Sequence, residues 1–165
     1  MLIVCIQIVC IQMADTSLNE NRIGLLVWQT SNLWQSTIRK KINRFKISFN
    51  EYLILETIYK LSEILSDVSQ VDIVKHSFID KTVVSIKLSQ LKNKKLINKL
   101  KANDNRSNKL ELTSEGYNLI KKIFSEIIEA ENLFFNKLNQ EAFNFTNSLK
   151  LLLGKKIRIK AYYNE

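Results

Sequence analysis

Proline is absent from the 165 residues, and glycine occurs only three times, at Gly24, Gly116 and Gly154. A chain so poor in helix breakers and tight-turn residues favours long helices. Three scattered glycines also leave no glycine-rich loop to cradle a phosphate. The two cysteines, Cys5 and Cys10, both fall in the first ten residues, so there is no disulfide framework and no thiolate metal site. That usage suits a reducing, cytoplasmic setting. Histidine occurs once, as His76, and one imidazole cannot build a His-rich metal site.

What is present points to a single domain with a sizeable core: 45% of residues are apolar, and the length suits one domain better than two. The net charge of +9 is unevenly placed. Between Arg39 and Lys109 there are 16 Lys and Arg against 7 Asp and Glu, an excess of 9, so the remaining 9 basic and 9 acidic residues cancel. A basic centre flanked by neutral ends is the expected footprint of a nucleic-acid-binding module between helical flanks. A solvated basic face, an acidic protein or a membrane surface are the competing explanations.

Residues 1–12, MLIVCIQIVCIQ, repeat IVCIQ twice and are almost wholly apolar. They lack the basic start and the cleavage site of a secretory signal, and the run is shorter than the roughly 20 residues a membrane helix needs. They are read as an extension ahead of Met13, disordered or mis-started, with an extra element at a dimer interface or a membrane anchor as lesser alternatives. An oxidant sensor at Cys5 or Cys10 lacks support, because no Lys, Arg or His precedes Arg22 to lower a thiol pKa.

Along the chain, Ser17 to Glu20 fits a capping box before a stripe of Ile23, Leu26, Val27, Leu33, Trp34, Ile38, Ile42 and Phe45, the spacing of one long amphipathic helix. Ser48 to Glu51 is a second capping box, with Ile47 and Tyr52 placed as a hydrophobic staple. Ser69 is expected to cap a short helix to about Ser77 that buries Val71 and Val74, and Asp80 to cap another in which Val84, Leu88 and Leu91 face inward. Two short helices joined by about three residues make a helix-turn-helix. From Leu96 to Lys101 and from Lys109 to Leu112 the period shortens to two, predicting a hairpin around a polar tip. Thr113 is expected to cap a helix of about 25 residues carrying Tyr117, Ile120, Phe124, Ile127, Phe134, Phe135 and Leu138, with Tyr117 and Phe124 in the core. A last helix from about Asn139 stops at Gly154. The fold class is therefore mainly α with a small β-hairpin wing.

The run IVKHSFIDKTVVSIKLSQLKNKKLINK, Ile73 to Lys99, resembles the central motif of the MarR family of winged helix-turn-helix transcriptional regulators. The matching features are Ile79-Asp80-Lys81-Thr82, Val84-Ser85, Leu88, Leu91 and Leu96-Ile97, and Asp104 to Gly116 resembles the family's wing. Three positions depart from it: Phe78 stands where glycine is common in the turn, Lys95 where glycine is common before the first strand, and Ile86 where an arginine often follows the Val-Ser pair. Losing that arginine removes the commonest base-specific contact, the bidentate grip on guanine.

The resemblance implies a dimeric DNA-binding regulator. Its N-terminal dimerisation helix spans residues 13–47, its DNA-binding domain 48–112 and its C-terminal dimerisation helices 113–165. A recognition helix at about 80–95 enters the major groove and a wing at 97–112 the minor groove. Lys81, Thr82, Ser85, Ile86 and Ser89 are expected toward the bases, where Ser and Thr bond base edges or phosphates and Ile86 meets a thymine methyl. Lys75, Lys92, Lys94 and Lys95 are expected phosphate contacts, each adding about 0.9 to the salt slope. Arg106 is assigned to the minor groove with Asp104 orienting it, and Lys99, Lys101 and Lys109 to the DNA backbone beside it.

The partners implied are double-stranded DNA, a second copy of the chain, and a small-molecule effector bound between stalk and DNA-binding lobe, where Trp28, Trp34 and Tyr52 are candidate lining. No membrane partner and no cofactor is expected. An enzyme is not expected either, because His76 sits in a helix-turn-helix and Glu129 and Glu131, two apart on a helix, read as surface. The alternative is a winged-helix protein-interaction or architectural module with weak, non-specific DNA binding.

Overall fold

The computed structural model describes residues 22–101 and 108–157. The expected cap at Ser17, the cysteines and the segment 1–12 lie outside them. Helix α1 spans Ile23–Ile42 and runs on through a 3-10 turn at Asn43–Phe45. Only its far end enters the core, at Ile38 and Ile42, while Ile23, Leu26, Val27, Trp28 and Leu33 remain exposed. Arg44 then pairs with Glu126, and Lys46 turns the chain in a left-handed conformation, φ 56°.

Helix α2, Phe49–Ser62, begins at the capping box foreseen at Ser48: its hydroxyl accepts the Glu51 N–H, and the Glu51 carboxylate accepts the Ser48 N–H at 2.6 Å. The staple residues Ile47 and Tyr52 are both buried. With Ile54, Leu55, Ile58 and Leu61 also buried, α2 forms the centre of the lobe, packed on α1 and on the elements that follow.

Helix α3, Gln70–Ser77, is capped by Ser69 and Asp72. The expectation that Val71 is buried is wrong: Val71 is 73% exposed and Ile73 is fully buried. The two lie about 200° apart on a helix, so only one can face the core. The buried Val68 just before the helix sets the entry of the chain, and Ile73 with half-buried Val74 takes the inward side.

Helix α4, Lys81–Asn93, starts at Asp80, whose carboxylate accepts the N–H groups of Thr82 and Val83. Strands β1, Ile97–Lys101, and β2, Asn108–Leu112, pair antiparallel with Ile97 opposite Leu112 and Lys101 opposite Asn108. The Leu110 N–H donates to the Val68 carbonyl at 2.7 Å, anchoring the hairpin to the loop before α3.

Helix α5, Ser114–Phe135, is capped by Thr113, which accepts the Gly116 N–H at 3.0 Å. Its buried stripe is Gly116, Ile120, Ile123, Ile127 and Ala130. Neither Tyr117 nor Phe124 belongs to it, contrary to expectation: Tyr117 is 41% exposed against Tyr59, and Phe124 is half-buried near the Lys60 ammonium. Both rings lie about 80–100° round the helix from the centre of that stripe, on its flank, while Ile and Ala occupy the inward face. A 3-10 segment, Asn136–Glu141, bends at Asn139, and α6, Ala142–Leu152, ends before Gly154 at φ 64°. No residue of α6 is buried. Among the described residues no helix is long and apolar enough to cross a membrane.

Candidate nucleic-acid interface

Helix α4 separates its faces by the arithmetic of 100° per residue. Val84, Leu88 and Leu91 point into the lobe. Lys81, Thr82, Ser85, Ile86, Ser89 and Lys92 are all exposed, within a sector of about 140°. They form one cationic and hydroxyl-bearing stripe with a single apolar interruption, Ile86, 52% exposed. The Ser89 hydroxyl donates to the Ser85 carbonyl at 3.1 Å, which leaves its lone pairs outward as acceptors. At the start of the stripe, the N–H groups of Thr82 and Val83 hold the Asp80 carboxyl below the usual range, so the cap is ionised.

Lys75 is exposed in the last turn of α3, where a cation complements the carbonyl end of the helix. On the hairpin, Lys99 is exposed, and Lys101 is the last residue of β1. Asp104 and Arg106 lie outside the described residues, in the link between Lys101 and Asn108.

Two lysines expected at phosphates are committed elsewhere. Lys109 Nζ lies 2.9 Å from Asp67 and 3.0 Å from Glu111, and these carboxylates, Asp67 first, push its pKa up. Its charge is neutralised within the lobe. Lys94 Nζ donates to Glu51 Oε1 at 2.8 Å and to the Lys46 carbonyl at 2.9 Å. Burial pushes the Glu51 carboxyl up, but the Lys94 ammonium and the bonds to Ser48 outweigh it and hold the group below its ordinary value. Glu51 was legible only as a capping residue. Its second role depends on a partner 43 positions away.

The stalk side holds a second feature. It is a cavity between α1 and the α5–α6 end of the chain, not the expected cleft between stalk and lobe; of Trp28, Trp34 and Tyr52 only Trp34 lines it, while Trp28 projects outward and Tyr52 is buried in the lobe. The cavity, about 340 Å³, is lined by Ile23, Leu26, Trp34, Phe135, Phe145 and Leu149, among others, and is almost wholly apolar. Behind it, Glu131 is half-buried rather than on the surface. Burial and then the charge of Glu56 push its carboxyl up. Trp34 Nε1 is buried and makes no hydrogen bond of proper geometry, yet its N–H lies close enough to Glu131 to favour the ionised form. Burial and a bond to Glu56 likewise push the Tyr52 hydroxyl well above its ordinary value. Among the described residues no group of His, Cys, Asp and Glu is arranged to hold a metal ion.

No family model matches the chain. Its backbone is similar to several solved structures. One is the Staphylococcus aureus MepR–DNA complex, at TM-score 0.72 and 23% identity over 82% of this chain and 97% of that one. Another is Bordetella bronchiseptica BpsR, a protein whose DNA binding is regulated by 6-hydroxynicotinic acid, at TM-score 0.71 and 19% identity over 82% and 95%. A third is a MarR-family transcriptional regulator from Rhodococcus sp. RHA1, at TM-score 0.74 and 14% identity over 87% and 100%. The chain has the winged helix-turn-helix fold of the MarR-family transcriptional regulators.

Proposed function

We propose that the chain is a dimeric, sequence-specific DNA-binding regulator of transcription, with α4 in the major groove and the hairpin in the minor groove. The observation that carries this reading is the outward stripe of Lys81, Thr82, Ser85, Ile86, Ser89 and Lys92 on the second helix of a helix-turn-helix, beside a β-hairpin bearing Lys99. Its similarity in fold to a protein solved on DNA supports the same reading. Thr82, Ser85 and Ser89 are the proposed base readers, and Ile86 fits a thymine methyl. Lys75, Lys81, Lys92, Lys99 and Lys101 are proposed at phosphates, with Arg106 in the minor groove oriented by Asp104.

The second copy is proposed to cover the apolar faces of the stalk, where Leu26, Trp28 and Leu33 on α1 and Leu151 and Leu152 on α6 stand exposed. A two-fold dimer sets two recognition helices about one DNA turn apart. On this reading residues 13–47 and 113–165 are the dimerisation segments around a DNA-binding domain at 48–112, and no reaction is catalysed. The Trp34 cavity suits an apolar effector, as the regulation of BpsR by a small molecule makes natural.

A titration against a duplex from the region upstream of its own coding sequence and against a random duplex, at matched salt, tests the proposal. A preference of about 10³ or more supports the regulator; a ratio near one favours an architectural module instead. Ile86, an exposed apolar residue in place of an arginine, is the feature that favours the second outcome.

A further inference from the structure

Three consecutive residues at the end of the recognition helix are gripped from both sides of the stalk. From the α1 side, the Lys46 carbonyl receives the Lys94 ammonium at 2.9 Å, while the Glu51 carboxylate of α2 holds the same ammonium from within the lobe at 2.8 Å. Lys46 is the left-handed residue that closes the 3-10 turn after α1. From the α5 side, the Thr113 hydroxyl donates to the Lys95 carbonyl at 2.7 Å and the Thr113 N–H to the Leu96 carbonyl at 3.1 Å. One turn on, Gly116 lets α5 close down on the same strand of backbone, since a Cβ there would stand 2.0 Å from the Leu96 oxygen. Lys94, Lys95 and Leu96 are thus each bonded to the end of a stalk helix or to the loop beside it.

Resting on the DNA-binding reading above, we infer that Lys94 and Thr113 are positioning residues: they set the angle of α4 relative to the stalk, and Lys94 is not a phosphate ligand. The lever arm makes the role physical. Helix α4 has 13 residues, about 20 Å, and moves with the lobe into which Val84, Leu88 and Leu91 pack, so a tilt of the lobe by about 10° about the clamp carries the far end of α4 by about 3 Å. Base readout at Thr82 and Ser85 tolerates far less than that, about 0.5 Å. Phosphate contacts by flexible lysines tolerate much more. The clamp therefore controls sequence choice more than bulk affinity for DNA.

The test uses the full-length chain, the upstream duplex and a random duplex, across a salt series. Lys94→Met removes the ammonium and keeps the apolar stem. Thr113→Asp keeps an oxygen to cap α5 but cannot donate to Lys95, and Thr113→Ser retains both bonds. Lys94→Met and Thr113→Asp are expected to weaken binding to the upstream duplex on the order of tenfold. Binding to random duplex and the slope of log K against log salt should stay unchanged, with Thr113→Ser restoring full affinity. A slope lowered by about 0.9 in Lys94→Met would make Lys94 a phosphate contact and overturn the inference. So would unaltered binding in both variants, or an equal loss on both duplexes. If the unaltered chain binds neither duplex, or both equally, the regulatory reading itself fails first and the positioning role goes with it.

Discussion

Phe78 and Lys95 stand just before and just after helix α4, and both hold left-handed backbone, φ 56° and φ 60°. They are the two positions where the resembled family commonly carries glycine. Left-handed backbone crowds a Cβ against the following carbonyl, so each residue keeps the turn geometry at a cost glycine would not incur. The turns that start and stop α4 thus hold left-handed backbone without the residue best suited to it.

Phe78→Gly should stabilise the chain by about 0.5–1 kcal/mol, the relief of strain less the extra freedom glycine gives the unfolded state. Phe78 is 70% exposed, so little packing is lost. Lys95→Gly should act in the same direction. An upward shift of the urea midpoint with an unchanged m-value is the expected reading.

The half-buried Glu131 and the buried Glu51 should respond to pH in opposite senses. Glu131 has a raised pKa, so the folded chain binds that proton more tightly than the unfolded chain does. The stabilisation it brings is complete below its ordinary value of 4.5 and is lost as pH rises through the raised folded value. Glu131→Gln should therefore raise Tm at neutral pH, with the gap closing in acid. Glu51 is lowered, so its contribution is present above 4.5 and disappears as pH falls through the folded value. Glu51→Gln should lower stability at pH 7 by about 1–2 kcal/mol, a figure discounted because Lys94 is 39% exposed. Thermal melts of both variants from pH 3 to 8 check the pair of signs.

Gly116→Ala should cost about 2–3 kcal/mol. The new methyl would meet the Leu96 carbonyl, which is backbone and held by Thr113, so neither partner can step aside cheaply. Denaturant unfolding measures the loss.

Among the hairpin lysines, the salt dependence of DNA binding should sort the free from the committed. Lys99→Gln should lower the slope by about 0.9, whereas Lys109→Gln should leave it unchanged because Asp67 and Glu111 already neutralise that charge. Binding isotherms on random duplex at several salt concentrations separate the two.

Much of the fold was legible because its signals are local. The caps at Ser48, Ser69, Asp80 and Thr113 each bond to a backbone group two or three residues on, so a short stretch of sequence contains both partners. The change of period after Leu96 announced the hairpin in the same way. The cationic stripe of α4 followed from spacing alone, once Val84, Leu88 and Leu91 were assigned inward.

What sequence could not decide was how side chains are used when the partner is far along the chain. Lys92, Lys94 and Lys109 are alike as letters, yet Lys92 faces water, Lys94 holds Glu51 and Lys109 holds Asp67. Val71 and Ile73 were equally apolar, and the entry of a two-turn helix into the lobe chose between them. By itself the sequence determined which elements form, since capping and periodicity act over a few residues. Only the tertiary structure decided which charges remain free for a ligand, because ion pairing and burial depend on distance in space, and folding brings together groups that the chain keeps dozens of residues apart.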